Sequence, residues 1–140
     1  MARKSPIEML GEVGLFEGLS KKELNQISKA GRRVEFPKDS VIVKEGEEGV
    51  GFHLIVTGKA KVTVRGRSRT TLGPGAFFGE LSLIDRGPRT ATVTAATDVT
   101  TLSLVSWEFL PLVEKTPSIA RKLLLEMCRR LREADKSHTH

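Results

Sequence analysis

The spacing of apolar residues changes period twice along the chain. Ser20-Lys21-Lys22-Glu23 reads as a capping box, in which hydroxyl and carboxylate each satisfy a free amide of a first helical turn. Leu24, Ile27 and Ala30 follow at helical spacing, and Gly31 is a natural stop. Ahead of this helix, Val13, Leu15-Phe16 and Leu19 stand among glycines as docking residues. From Val34 to Val105 the texture turns to short β-branched runs: Val41–Val43, Phe52–Thr57, Lys59–Val64, Arg69–Leu72, Arg89–Ala96 and Val99–Val105. Nine of the thirteen glycines lie between Gly46 and Gly87 and punctuate these runs, as in an all-β sandwich or barrel. Ala60, Val62 and Val64 alternate with Lys59, Lys61, Thr63 and Arg65, the mark of a half-buried strand, and Arg65–Ser68 reads as a hairpin tip. After Val105 the helical period returns. Ser106 caps a segment Trp107–Lys115, and Thr116-Pro117-Ser118 restarts a helix with proline where its missing N–H costs nothing. Ile119, Ala120, Leu123, Leu124, Met127, Cys128 and Leu131 form one apolar stripe, with Arg121, Lys122, Glu126, Arg129, Arg130 and Arg132 around it. The tail Lys136–His140 is polar and expected to fray.

The expected fold is therefore mainly β with flanking helices: a β-roll of jelly-roll type over about 34–105, a short helical part over about 6–33 and C-terminal helices over about 107–135. At 140 residues this is one domain, with a core large enough to stand without staples. A single cysteine excludes an internal disulfide and a cysteine-based zinc cage. No apolar run approaches a membrane span or a signal peptide, so a cytoplasmic location without membrane contact is the expectation. The net charge of +6 invites a nucleic-acid reading, but the excess sits at the ends. Residues 1–33 carry seven Lys/Arg against four Asp/Glu, residues 119–140 six against three, and residues 34–118 ten of each. Solvated helix faces account for this, and no direct nucleic-acid binding is expected.

The chemistry concentrates in Gly75–Val93. Gly79 allows close backbone approach, and Glu80–Ile84 can make one helical turn whose free amides point at an anion. Gly87-Pro88 is a bend, after which Arg89 enters a strand beside Ala91 and Val93 and is aimed inward. A buried arginine needs an anion, supplied by Glu80 or by a ligand phosphate. No Ser/His/Asp set, phosphate loop with Lys-Ser/Thr or paired carboxylates is present, so an enzyme is not expected. His53 reads as a core or edge residue of its strand, Cys128 as a packed thiol, and Asp85 and Arg86 as solvated loop residues. His138 and His140 have no carboxylate near them in a defined element, which leaves a cupin-like metal enzyme as the weaker alternative and no metal expected.

The run Phe78-Gly79-Glu80-Leu81-Ser82-Leu83-Ile84-Asp85-Arg86-Gly87-Pro88-Arg89-Thr90-Ala91-Thr92-Val93 resembles the phosphate-binding cassette of cyclic nucleotide-binding domains. Val13–Ser20 is similar to that family's entry, Glu45–Gly49 and Phe52–Gly58 to its early strands, and Gly73-Pro74-Gly75 to its approach to the cassette. The resemblance implies that Arg89 pairs with the cyclic phosphate, that Glu80 accepts the ribose 2′-hydroxyl, and that the amides around Leu81 and Ser82 complete the cradle. Gly79 would leave room for the sugar, and Thr90 would offer a hydroxyl to a purine or to the phosphate, although strict alternation points it away from Arg89. The chain departs from the family at Val50-Gly51, where an acidic residue is frequent, and near Ala134 and Asp135, which lack the paired hydroxyls of the activator proteins. The implied function is a sensor or regulatory module for cyclic AMP in preference to cyclic GMP. A protein partner would read the C-terminal helix, and the apolar stripe extended past Leu131 would serve as a homodimer seam. The alternative is the sensor half of a transcription regulator without its DNA-binding part.

Overall fold

The computed structural model describes residues 5–136. The chain begins with α1 (Pro6–Gly11), a 3-10 turn at Gly14–Phe16 and α2 (Lys21–Ala30). Ser5 opens α1 by accepting from the Glu8 amide, with Pro6 in the first turn. The expected capping box opens α2: the Glu23 amide donates to Ser20 Oγ at 3.1 Å, and the Ser20 amide donates to Glu23 Oε1 at 2.8 Å. Gly31 ends the helix in extended backbone, and its missing Cβ leaves space for Leu102 and Leu104.

Eight strands follow: β1 (Arg32–Phe36), β2 (Val41–Val43), β3 (Gly51–Thr57), β4 (Ala60–Val64), β5 (Arg67–Leu72), β6 (Phe77–Phe78), β7 (Thr92–Ala95) and β8 (Val99–Val105). They pair antiparallel in two four-stranded sheets, ordered β1-β8-β3-β6 and β2-β7-β4-β5. Two helices follow among the described residues, α3 (Ser106–Lys115) and α4 (Pro117–Lys136).

Two cores follow from the period of the strands. In β3 and β8, Phe52, Leu54, Leu102 and Leu104 face the helices and pack with Leu10, Phe16, Phe109 and Ile119. The rings of Phe16 and Phe52 meet edge to face at 5.9 Å. The alternate residues face the second sheet, where Ile55 and Val99 pack with Ala60, Val93 and Ala95. Each large side chain so buried is worth about 1.5–3 kcal/mol, so the helical layer is firmly attached to the roll.

The roll with flanking helices is as expected, but four local readings need correction. Arg32–Phe36 is a strand although it carries three charged residues in five, because β8 offers it a continuous antiparallel edge. The expected strand from Arg89 begins only at Thr92. Ser106 does not cap α3; it is the first residue inside the helix, buried, with its amide donating to the Val50 carbonyl. The apolar stripe of α4 is narrower than its sequence: Ile119 and Leu123 are buried, whereas Leu124 and Leu131 are each 67% exposed and Cys128 also faces out. Glu126 takes a buried position on the inward face, held there by two arginines.

Candidate functional site

Beyond β6 the chain reverses at Gly79, whose φ of 80° lies in the left-handed region. A Cβ here would overlap the Arg89 guanidinium and stand 2.6 Å from the Gly51 carbonyl. The absent Cβ leaves room for the Arg89 guanidinium. The single turn expected after it is a 3-10 turn, Glu80–Leu83, in which the Ser82 amide donates to the Gly79 carbonyl at 3.1 Å. That amide is engaged, and Ser82 is among the residues that line the adjoining cleft.

Arg89 is placed by a backbone zipper outside the sheets. Its amide donates to the Glu47 carbonyl and its carbonyl accepts from Gly46, both at 2.8 Å. Gly49 donates to Gly87 at 2.9 Å, and Glu48 bridges Pro88. Asp85 braces the loop by accepting from the Gly87 amide at 2.8 Å, and Arg86 pairs with Glu48 at 2.9 Å. The turn at 45–49 thus holds Arg89 at the mouth of the roll. Nη2 of its guanidinium donates to the Gly51 carbonyl at 2.8 Å. Among the described residues no carboxylate pairs with it, and Glu80 does not supply the partner that the sequence offered. Burial without a counter-charge lowers the Arg89 pKa from its ordinary value.

Glu80 looks elsewhere. Its Oε1 accepts from Arg130 Nη1 of α4 at 3.5 Å, and its Oε2 is buried with no hydrogen-bond partner among the described residues. Arg130 is itself held by Glu126, which accepts from Arg130 Nε at 3.1 Å and from Arg129 Nη2 at 2.6 Å. These contacts, Arg129 first, lower the Glu126 pKa despite its burial. The guanidinium of Arg130 also lies over Gly14, where a Cβ would stand 2.7 Å from it. One arginine of α4 therefore touches the cassette turn and the N-terminal 3-10 turn together.

Glu80 and Arg89 line one open cleft of about 530 Å³, together with Gly79, Ser82, Asp85 and Thr90. Val43, Phe78, Ala91 and Val93 supply its apolar wall. The arrangement gathers a guanidinium without a carboxylate among the described residues, a glutamate and an apolar wall around one volume. That combination suits a small anion with a hydroxyl and a planar hydrophobic group.

The sequence profile described as "Cyclic nucleotide-binding domain" matches residues 33–116, more than half of the chain. The chain belongs to that family. This cyclic nucleotide-binding domain is 33% identical over 135 residues to the CRP-like cAMP-activated global transcriptional regulator of Mycobacterium tuberculosis, covering 93% of this chain and 60% of the relative. It is 36% identical to the cyclic AMP receptor protein of Thermus thermophilus, covering 86% and 58%. A cyclic nucleotide-gated potassium channel of Mesorhizobium japonicum is 42% identical, with 85% and 34% covered. The chain thus spans about 60% or less of the length of these curated relatives. Among solved structures, the N-terminal domain of a transcriptional regulator from Streptomyces coelicolor superposes with a TM-score of 0.86 at 29% identity, covering 94% of this chain and 96% of that one.

Of the residues singled out in the sequence, Gly79, Glu80, Leu81 and Ser82 share the reversal and the 3-10 turn, while Arg89 and Thr90 follow the zipper. Thr90 precedes β7, so strand alternation does not apply to it, and it lines the cleft beside Arg89. Asp85 and Arg86 are exposed, as expected of a loop, yet both are tied down. His138 and His140 lie outside the described residues. Among those described, no three His, Cys, Asp or Glu side chains gather as a metal site requires, and no helix is long and apolar enough to cross a membrane. Arg130 escaped the sequence reading because nothing distinguishes it from Arg129 and Arg132 except its fourth-residue spacing from Glu126.

Proposed function

We propose that this domain is a sensor that binds a 3′,5′-cyclic nucleotide, cyclic AMP in preference to cyclic GMP, in the cleft between Glu80 and Arg89. The observation that carries the reading is the pair of complementary deficits there: a half-buried guanidinium without a carboxylate and a buried carboxylate oxygen without a donor. A cyclic phosphodiester would bring one negative charge to the planar fork of Arg89. The ribose 2′-hydroxyl would donate to Glu80 Oε2. The side chain of Ser82 and the free amides opening the 3-10 turn would complete the phosphate cradle, and Thr90 would meet the phosphate or the purine edge. Cyclic AMP is favoured because the two relatives with 86–93% of this chain matched are named for it, whereas the cGMP-dependent protein kinase of Toxoplasma gondii matches 63%.

Output would pass through α4. A ligand can shift the helix only by binding its two positions unequally. Arg130, on α4 and against Glu80, is the residue through which occupancy of the ribose end would be felt. The outward Leu124, Cys128 and Leu131 would offer a seam to a second copy or a protein partner. A second reading, the sensor part of a transcription regulator, is favoured by the share of the CRP-like relative that this chain spans.

Titration calorimetry with cyclic AMP, cyclic GMP, 5′-AMP and 2′-deoxy cyclic AMP tests the reading. Cyclic AMP is expected to bind best, 5′-AMP far more weakly because its dianion exceeds what one arginine neutralises, and the 2′-deoxy compound more weakly for want of the donor to Glu80. Equal affinity for 5′-AMP and cyclic AMP would refute it.

A further inference from the structure

We propose that a cyclic phosphate seated on Arg89 is bound together with a proton taken up by His53, so that binding tightens as the medium becomes acidic. The inference rests on the ligand reading above and adds a second, titratable layer beneath the cleft. His53 belongs to β3 and faces the space between the sheets. Phe78 stacks on its ring at 5.2 Å and 25°, and Phe36 closes it edge-on at 6.0 Å. Phe78 is also a wall of the cleft, so one ring separates His53 from the ligand volume.

The imidazole is wired for both protonation states. Nδ1 lies 2.8 Å from Ser103 Oγ, which in turn lies 2.8 Å from Thr101 Oγ1. A hydroxyl both donates and accepts. When His53 is neutral, Ser103 can donate to Nδ1. When it is protonated, Nδ1–H donates to Ser103, which passes its own hydrogen to Thr101. Gaining the proton at Nδ1 therefore needs only hydroxyl rotations along this pair.

The surroundings decide the cost. β1 presents Phe36, β6 presents Phe78, and β8 presents Ser103 and Thr101, none of them charged. Arg89 is the charged group that acts on the imidazole, and Glu80, across the cleft, is turned to Arg130. In the domain by itself, burial first and the Arg89 charge second lower the His53 pKa to about 4. A bound phosphodiester brings one negative charge beside Arg89, and that charge offsets the repulsion of the imidazolium. The bound form therefore holds the proton more readily, and by reciprocity the protonated form holds the ligand more tightly. Binding at pH 5 is therefore expected to exceed that at pH 7.5, by at most about tenfold for each pH unit that saturation adds to the His53 midpoint.

The test measures His53 directly. In the unmodified protein, the imidazole carbon resonances are followed against pH, free and saturated with cyclic AMP. Calorimetry at pH 5 and pH 7.5, in buffers of different ionisation heat, counts protons taken up. Parallel titrations use His53→Phe and His53→Gln, which retain a ring or a polar group at the site. The expected result is a His53 midpoint that rises on saturation, proton uptake at pH 5, and acid tightening that both variants lose. A midpoint unmoved by ligand, or variants that keep the full acid tightening, would overturn the proton linkage while leaving cyclic nucleotide binding intact. Absence of cyclic AMP binding at every pH would overturn the ligand reading and the linkage with it.

Discussion

Arg89 and Glu80 are each placed at a cost to the folded domain. The guanidinium is partly desolvated for one carbonyl contact, and the carboxylate hides an oxygen from water. Removing Arg89 should accordingly harm binding far more than folding. Arg89→Ala is expected to weaken cyclic AMP binding by about 2–5 kcal/mol, the scale for deleting one member of a buried charge pair. Its unfolding midpoint in urea should stay near that of the parent, since only the bond to Gly51 is lost. Glu23 is the opposite case, a buried carboxylate with every need met. It accepts from the Ser20 amide, Ser118 Oγ and Lys122 Nζ, with Lys122 the largest cause of a pKa lowered to about 2. The folded form thus binds the proton less readily than the unfolded chain. The stability Glu23 contributes is complete above about pH 4.5 and is lost as pH falls from there towards about 2. Glu23→Gln should cost about 2 kcal/mol at neutral pH and flatten the acid limb of a stability-versus-pH curve measured by urea denaturation.

Among the elements, the reversal at Gly79 and the zipper of 45–49 with 87–89 do what no strand does: they hold a charged side chain at the mouth of a hydrophobic roll. At Gly79 left-handed backbone and lack of space coincide. Gly79→Ala should cost about 1–2 kcal/mol from backbone conformation alone. The added methyl must also displace Arg89, so affinity for cyclic AMP should fall at least about tenfold at a temperature where circular dichroism still shows the folded domain. Unchanged affinity would mean that the position of Arg89 does not govern binding. In α4 the short buried face, Ile119 and Leu123, fixes the helix near its start, while further along Arg130, oriented by Glu126 of the same helix, reaches Glu80 at 3.5 Å. The second half of the helix is therefore held more weakly than the first.

For the whole molecule, this gradient is the reason to expect that a ligand changes the attachment of α4. Cyclic AMP should slow amide exchange in residues 119–131 as well as in residues 79–90, read by hydrogen–deuterium exchange. Arg130→Ala should uncouple the two, preserving protection of residues 79–90 while removing most of that in α4. Protection confined to the cassette in the parent protein would leave a binding module with no path to the helix. The outward leucines belong to the same scale. If Leu124 and Leu131 form the seam between two copies, Leu124→Glu with Leu131→Glu should convert a dimer to a monomer in analytical ultracentrifugation at unchanged ligand affinity.

Periodicity and turn chemistry were enough to determine the order of elements, the capping box, the roll and the helices beyond it, because each depends on residues close in sequence. The cassette was legible for the same reason: Gly79 to Thr90 is one contiguous run whose glycines, acid and arginine carry their meaning locally. What the tertiary structure alone decided lies between distant segments. Strand β1 exists because β8 provides its partner, and Arg89 is positioned by Glu47 and Gly46 and not by its own strand. Glu80 meets Arg130, fifty residues on, rather than Arg89, nine residues on. The inward face of α4 accepts Glu126 and leaves Leu124 and Leu131 in water. Side-chain spacing states which residues share a face. Which face is buried, and which charges then meet, is settled only when the layers close and each ion must find its partner at the lowest cost of desolvation.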